Sequence, residues 1–144
     1  MRRASVWLVM VCALSGCASD PVPFTDAKAQ TLEFIGWEQE IRLTPQQEAV
    51  KRAALEALPA ACCGDNSAYT CCCPCNLSRS IWGLSQYLVA KQNYSASQVK
   101  DKVSEWVAFV NPKGFSGDSC YRGGCPRPFS ENGCGGMNPN QVSF

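Results

Sequence analysis

The sequence of 144 residues contains no histidine. This absence excludes Ser-His-Asp and Cys-His catalysis, acid–base catalysis by an imidazole, and every zinc site that needs a histidine ligand. A glycine-rich phosphate loop is also missing, because the pairs Gly123-Gly124 and Gly135-Gly136 lack a strand before them and a helix after them. After the N-terminus, no apolar run approaches the length of about eighteen residues that spans a bilayer. A hydrolase is therefore a poor match, and no later segment is expected to cross a membrane.

The N-terminus has the layout of a bacterial export signal. Arg2 and Arg3 precede a mostly apolar run, residues 4–14, which is too short to span a bilayer as a mature helix. The run ends in Leu14-Ser15-Gly16-Cys17, which resembles the lipobox of bacterial lipoproteins. The resemblance implies cleavage before Cys17, acylation of that cysteine with diacylglycerol and an N-linked chain such as palmitate, and stable attachment to lipid. The alternative is an ordinary secretory signal that contains an incidental cysteine.

This interpretation divides the chain into three parts: a lipoprotein signal peptide (1–16), a lipidated N-terminus with a tether (17–31), and a Cys-rich domain (32–144). Loss of Arg2 and Arg3 leaves eleven of the thirteen basic residues and all twelve acidic ones, a net charge of −1. A chain this close to neutral lacks the positive charge that binds phosphate backbones. We expect a location in the cell envelope, on the periplasmic side of the inner or outer membrane, and no nucleic-acid partner.

Three segments of the domain carry helix signals, at about residues 45–58, 76–92 and 96–110. The first and third open with capping boxes, Thr44 with Gln47 and Ser95 with Gln98. The second shows apolar residues three and four positions apart, which is the spacing of one helix face. They are Leu77, Ile81, Leu84 and Leu88. Gly83 within this helix predicts close packing against a neighbouring element.

The segments on either side of these helices are less regular. The stretch 32–43 is apolar without a clear period, and it predicts a short strand or an extended arm. The tail, 111–144, is rich in glycine, proline and cysteine and is too poor in apolar residues to order itself by burial alone. The predicted fold class is therefore a small all-α domain with a three-helix core, an N-terminal extended arm and an irregular Cys/Gly-rich C-terminal tail.

Sulfur is the concentrated chemistry of this chain. Of the eleven cysteines, Cys12 leaves with the signal peptide and Cys17 carries the lipid, so nine belong to the domain. Nine cannot all pair within one molecule, so at least one is free, bound to metal or paired with another molecule. These nine are Cys62, Cys63, Cys71, Cys72, Cys73, Cys75, Cys120, Cys125 and Cys134.

Four of the nine fall within the stretch YTCCCPCN, residues 69–76, immediately before a predicted helix. Three interpretations of this cluster stay open. The favoured one is a soft-metal site for Cu(I), Zn(II) or Hg(II), because thiolates prefer such ions and the chain has only three methionines and no histidine. Its expected ligands are Cys71, Cys72, Cys73 and Cys75, with Cys62 and Cys63 as further candidates.

The second interpretation is a redox dithiol. Cys72 and Cys75 form a CxxC at a helix N-terminus, where the positive end of the helix stabilises a thiolate. Cys72 would attack and Cys75 would resolve, and the partner would be a thiol- or disulfide-bearing protein. The third interpretation is a set of disulfides that staple an interaction module and involve the tail residues Cys120, Cys125 and Cys134. We favour a protein that is not an enzyme; if it is one, we expect a thiol–disulfide oxidoreductase.

Two families share parts of this pattern, over about residues 44–112. A leading helix, a cysteine-dense segment, a polar residue and a further helix resemble the bacterial lipoproteins named for their PCYCGC motif, where a Ser-capped helix also follows, as at Ser95 here. The stretch from Cys72 to Asn76 and the ending Phe109-Val110-Asn111-Pro112 are similar to the thiol reductase domain of cytochrome c maturation. The first resemblance implies an exported protein with a metal-related role. The second implies dithiol–disulfide exchange with a haem-binding CxxCH polypeptide.

Overall fold

Helices dominate the part of the chain that the computed structural model describes, residues 20–144. The predictions made for the signal peptide and for Cys17 lie outside these residues. The elements, in chain order, are α1 (Ala27–Glu40), α2 (Pro45–Glu56), β1 (Pro59–Ala60), β2 (Cys63–Ser67), α3 (Asn76–Gln92), α4 (Ala96–Val110) and a 3-10 turn (Phe129–Glu131). The two strands form an antiparallel hairpin. Within residues 20–144, no helix combines the length and the apolar character needed to cross a membrane.

The helix ends follow from local capping. Both predicted capping boxes are present: the Thr44 side chain accepts from the backbone N–H of Gln47, and the Ser95 side chain accepts from that of Gln98. In each box the glutamine returns a bond to the backbone of the capping residue, so two otherwise unpaired N–H groups are satisfied. Helices α3 and α4 have the predicted bounds, whereas α2 ends at Glu56, two residues before its predicted end.

The predicted extended arm is wrong, because most of residues 32–43 belongs to helix α1. The Asp26 carboxylate accepts from the backbone N–H of Ala29 and caps this helix. The buried residues of α1 recur at helical spacing, but the first two of them are Ala27 and Thr31. Both are weakly apolar and precede Leu32, so the stretch 32–43 by itself does not show the helical period. The domain therefore has four helices instead of the predicted three.

The residues assigned to the tether also differ from the prediction from position 20 onward. Val22 is buried, and the Phe24 ring lies 5.1 Å from that of Trp106 in α4. Phe34 of α1 meets the same indole at 4.8 Å. Lys102 of α4 pairs with Asp20 and covers the Phe24 ring. The N-terminal segment and α1 thus complete an aromatic core that closes over α4.

Helix α1 lies directly against α3 at Gly83, as the glycine predicted. A Cβ atom at this position would lie 1.7 Å from the carbonyl oxygen of Phe34, so no side chain fits there. The close approach holds the N-terminal half of the domain against the helix that follows the cysteine cluster.

The tail is irregular, as predicted, and hydrogen bonds hold it to the hairpin and to α3. The backbone N–H of Cys120 donates to the carbonyl of Cys62, and that of Leu77 donates to the carbonyl of Cys134. The buried amide of Asn76 donates to three tail carbonyls, those of Gly135, Asn138 and Gln141. These bonds bring the tail cysteines to the start of α3.

Candidate functional site

The nine cysteines of residues 20–144 are all free thiols, and six of them converge in two groups. We call the first the inner group and the second the outer group. In each group, the three Sγ atoms all lie within 4.8 Å of one another. The inner group is Cys62, Cys75 and Cys134, and the outer group is Cys72, Cys73 and Cys120.

Three separate parts of the fold build the inner group. Cys62 occupies the two-residue turn of the β1–β2 hairpin, Cys75 is the N-cap residue of α3, and Cys134 comes from the tail. The backbone N–H of Cys134 donates to the carbonyl of Gly124 at 2.9 Å, which positions this thiol at the helix end. All three residues are at most 1% exposed. The inner group is therefore a buried site that only the folded chain can assemble.

Cys71 lies beside the inner group, and Ser78 joins it to Cys75. The Ser78 hydroxyl oxygen lies 3.0 Å from the Cys75 sulfur and 3.2 Å from the Cys71 sulfur. Sequence reasoning missed Ser78, although a polar residue three positions after a helix N-cap is a recognisable signal. Because Ser78 contacts two sulfurs at once, it orients both of them. Residues that hydrogen-bond to metal ligands commonly have this role at metal sites.

Hydrogen bonds among the inner thiols separate their pKa values. The Cys134 and Cys62 thiols hold the pKa of Cys75 down to about 3, aided by the Ser78 hydroxyl and backbone N–H, and a bond from Cys62 lowers the pKa of Cys71 to about 6. The pKa of Cys62 is raised by its bonds to Cys134, Cys71 and Cys75. For Cys134, the bond from Cys62 lowers the pKa, but the contact with Cys75 and burial together raise it. These hydrogen bonds favour the thiolate forms of Cys75 and Cys71, and the thiolate is the form that binds metal.

The outer group lies nearer the surface. Its sulfur–sulfur distances are 3.6 Å for Cys72–Cys73, 3.8 Å for Cys72–Cys120 and 3.6 Å for Cys73–Cys120. Cys125 adds a fourth sulfur, 3.8 Å from that of Cys120, and burial raises its pKa to about 11. The side chain of Cys72 is exposed, whereas Cys73 and Cys120 are half-buried.

These distances match the edges of a metal–thiolate polyhedron. A disulfide requires about 2.05 Å between sulfurs. Four sulfurs at about 2.3 Å from a zinc ion stand about 3.8 Å apart along each tetrahedral edge. The measured separations of 3.6–3.8 Å in the outer group agree with that edge. Either group of cysteines could hold a metal ion.

The structure divides the cysteines differently from the sequence prediction. Cys71 and Cys75 turn inward while Cys72 and Cys73 turn outward, so the two members of the CxxC belong to different groups. The tail contributes to both groups, through Cys134 and through Cys120.

Cys63, a further candidate ligand, belongs to neither group. Its Sγ accepts from the amide of Asn66 at 3.3 Å and lies 3.7 Å from the hydroxyl oxygen of Tyr121. It is buried like its neighbour Cys62 but faces another part of the domain. The adjacent pair Cys62-Cys63 therefore offers one thiol inside a candidate site and one outside it.

Comparisons of this chain with protein-family models, with curated proteins and with solved structures find no match.

Proposed function

We propose that this protein binds soft metal ions through cysteine thiolates, on the outer face of a bacterial membrane to which an acylated Cys17 attaches it. The observation that carries the proposal is the inner group, in which buried thiols from the hairpin turn, the start of α3 and the tail lie within 4.8 Å of one another. Cysteines that served only as small apolar residues would have no reason to meet at one point.

The surroundings of the inner group support a bound cation. Several thiolates around one ion carry net negative charge, and the N-terminus of α3, where Cys75 caps the helix, supplies partial positive charge at that point. The Ser78 hydroxyl is placed to donate to coordinating sulfur. Buried charge is tolerated in proteins when it is paired or coordinates a metal, so an ion at this point would neutralise the thiolates.

The donor set narrows the identity of the ion. Sulfur ligands without histidine or convergent carboxylates suit Cu(I), Zn(II) or Hg(II) and disfavour Mg²⁺ and Ca²⁺, which prefer oxygen. The three inner sulfurs, with Cys71 beside them as a candidate fourth ligand, suit the four-coordinate preference of Zn(II). We favour binding or sequestration of such an ion as the function.

The test is metal content combined with thiol labelling on natively purified protein. We expect bound metal by elemental mass spectrometry, and protection of the inner thiols from alkylation until a chelator is added. Cys62→Ser should lower the metal content by one ion or more. The neighbouring substitution Cys63→Ser is the matched control, since it removes an equally buried thiol outside the groups, and it should leave the metal content unchanged. Metal-free protein with its cysteines joined in disulfides would contradict the proposal.

A further inference from the structure

The two thiol groups differ in their access to solvent. Each residue of the inner group is at most 1% exposed, so the fold shields an ion held there from solvent. In the outer group the side chain of Cys72 is exposed, and this sulfur sits on the rim of the group, in contact with Cys73 and Cys120. One group is closed and the other is open on the side of Cys72.

The two groups share no cysteine, although one short loop contributes cysteines to each of them. Within residues 71–75, the first and last cysteines turn inward and the middle two turn outward. The tail then provides Cys134 to the inner group and Cys120, with Cys125 beside it, to the outer group. Because no sulfur needs to serve both groups, each can be filled or emptied while the other keeps its ligands.

We propose that the outer group is an exchange site, through which a soft metal ion passes between this protein and a thiol-bearing acceptor, while the inner group holds a second ion that stays with the fold. This inference rests on the proposed function. It assigns to the outer group a partner of defined chemistry, a thiol or dithiol on another molecule.

The geometry of the outer group favours exchange. The three sulfurs lie 3.6–3.8 Å from one another. An ion that bonds to all three at about 2.3 Å would lie slightly less than 1 Å above the plane of the sulfurs. A fourth ligand completes the tetrahedron from above that plane. Cys125 is the chain's candidate for this position. Its sulfur lies beside those of Cys120 and Cys73 but outside the set of three that meet within 4.8 Å. An incoming thiolate can compete with it more easily than with a ligand held from all sides.

The transfer is a ligand substitution without a change of oxidation state. The sulfur of the acceptor forms a bond to the ion on the open side, and the bond between the ion and the Cys72 sulfur breaks. The proton of the acceptor thiol passes to the Cys72 thiolate. A second substitution at Cys73 uses the other thiol of a dithiol acceptor. A third, at Cys120, uses a thiol of a second acceptor molecule, so three acceptor protons leave three protonated thiols, and the reverse sequence loads the site.

Competition kinetics on the full mature protein test this inference. The protein is loaded with Cd²⁺ under anaerobic conditions, and loss of the cadmium–thiolate absorbance is followed after addition of dithiothreitol at several concentrations. We expect two bound ions that leave in two phases. The fast phase should accelerate in proportion to the dithiothreitol concentration, and the second should be at least about tenfold slower, because release of a buried ion requires local opening of the fold.

Two variants assign the phases. Cys72→Ser removes an exposed thiol, so the protein should fold, keep the slow phase and lose the fast one. Cys63→Ser, which alters neither group, should keep both phases. Failure to bind Cd²⁺ at all would refute the proposed function itself. Two bound ions that leave in a single phase, a fast phase whose rate ignores the dithiothreitol concentration, or loss of the slow phase in Cys72→Ser would overturn the division between exchange and storage while leaving metal binding intact.

Discussion

Substitution of Gly83 by alanine sets two physical effects against each other within one helix. Alanine is the better helix former, and in an exposed helix interior the change stabilises by about 1 kcal/mol. At Gly83, however, the added Cβ would lie 1.7 Å from the carbonyl oxygen of Phe34 and 2.8 Å from the backbone nitrogen of Glu38. Both atoms belong to the backbone of α1, so no side chain can rotate away to relieve the overlap.

The size of the effect follows from the movement required. Real Cβ atoms essentially never approach another heavy atom closer than 3.0 Å, so α1 must retreat from α3 by more than about 1 Å. Overpacking of this kind costs about 1–3 kcal/mol, and the rigid backbone places Gly83→Ala at the upper end. After the gain in helix propensity, we expect a net loss of about 2 kcal/mol, which lowers the Tm of a domain of this size by about 8 °C.

Gly36→Ala is the matched control, because Gly36 lies on α1 and a Cβ there would meet nothing within 4 Å. It should raise the Tm by a few degrees through helix propensity alone. Thermal unfolding followed by circular dichroism, with all three proteins at the same metal content, gives the comparison. An equal rise in Tm for both substitutions would refute the close contact between α1 and α3.

Three further predictions concern the sulfur site, the anchor and the N-terminal segment. Ser78→Ala should weaken metal binding by about 10–100-fold in a competitive titration, as loss of a group that orients ligands commonly does. Cys17→Ser should leave the protein unprocessed or soluble in cell fractionation, since no described helix can hold it in lipid, and a processed, membrane-bound variant would contradict the anchor. The bond from Lys102 lowers the pKa of Asp20, so this carboxylate stabilises the fold above its unfolded pKa of about 3.9, and the effect disappears as pH falls through the folded pKa. Asp20→Asn should therefore destabilise by about 0.2–1 kcal/mol at pH 7, as expected of a partly exposed pair, and by less as the pH falls through the folded pKa of Asp20. A difference that stays constant as the pH is lowered in denaturant titrations would contradict the ion pair.

The sequence by itself determined the features that depend on neighbours along the chain. The bounds of α3 and α4 and both capping boxes could be predicted, because a cap involves residues only three positions apart. Gly83 indicated a close helix contact for a similar reason, since a glycine within a strong helix needs an explanation in packing. Helix α1 could not be predicted, because two residues of its buried face, Ala27 and Thr31, are only weakly apolar.

Only the tertiary structure decided how the sulfurs divide. Along the chain, Cys72 and Cys75 form a CxxC, and this spacing predicts that both belong to one site. In the fold they belong to different groups, because Cys75 is fixed at the end of α3 beside the hairpin turn while Cys72 meets Cys120 of the tail. Hydrogen bonds between residues some sixty positions apart, such as that from Leu77 to Cys134, determine which tail thiol reaches which group. A local pattern cannot encode such pairings, since their free energy arises only when the distant segments are already packed together.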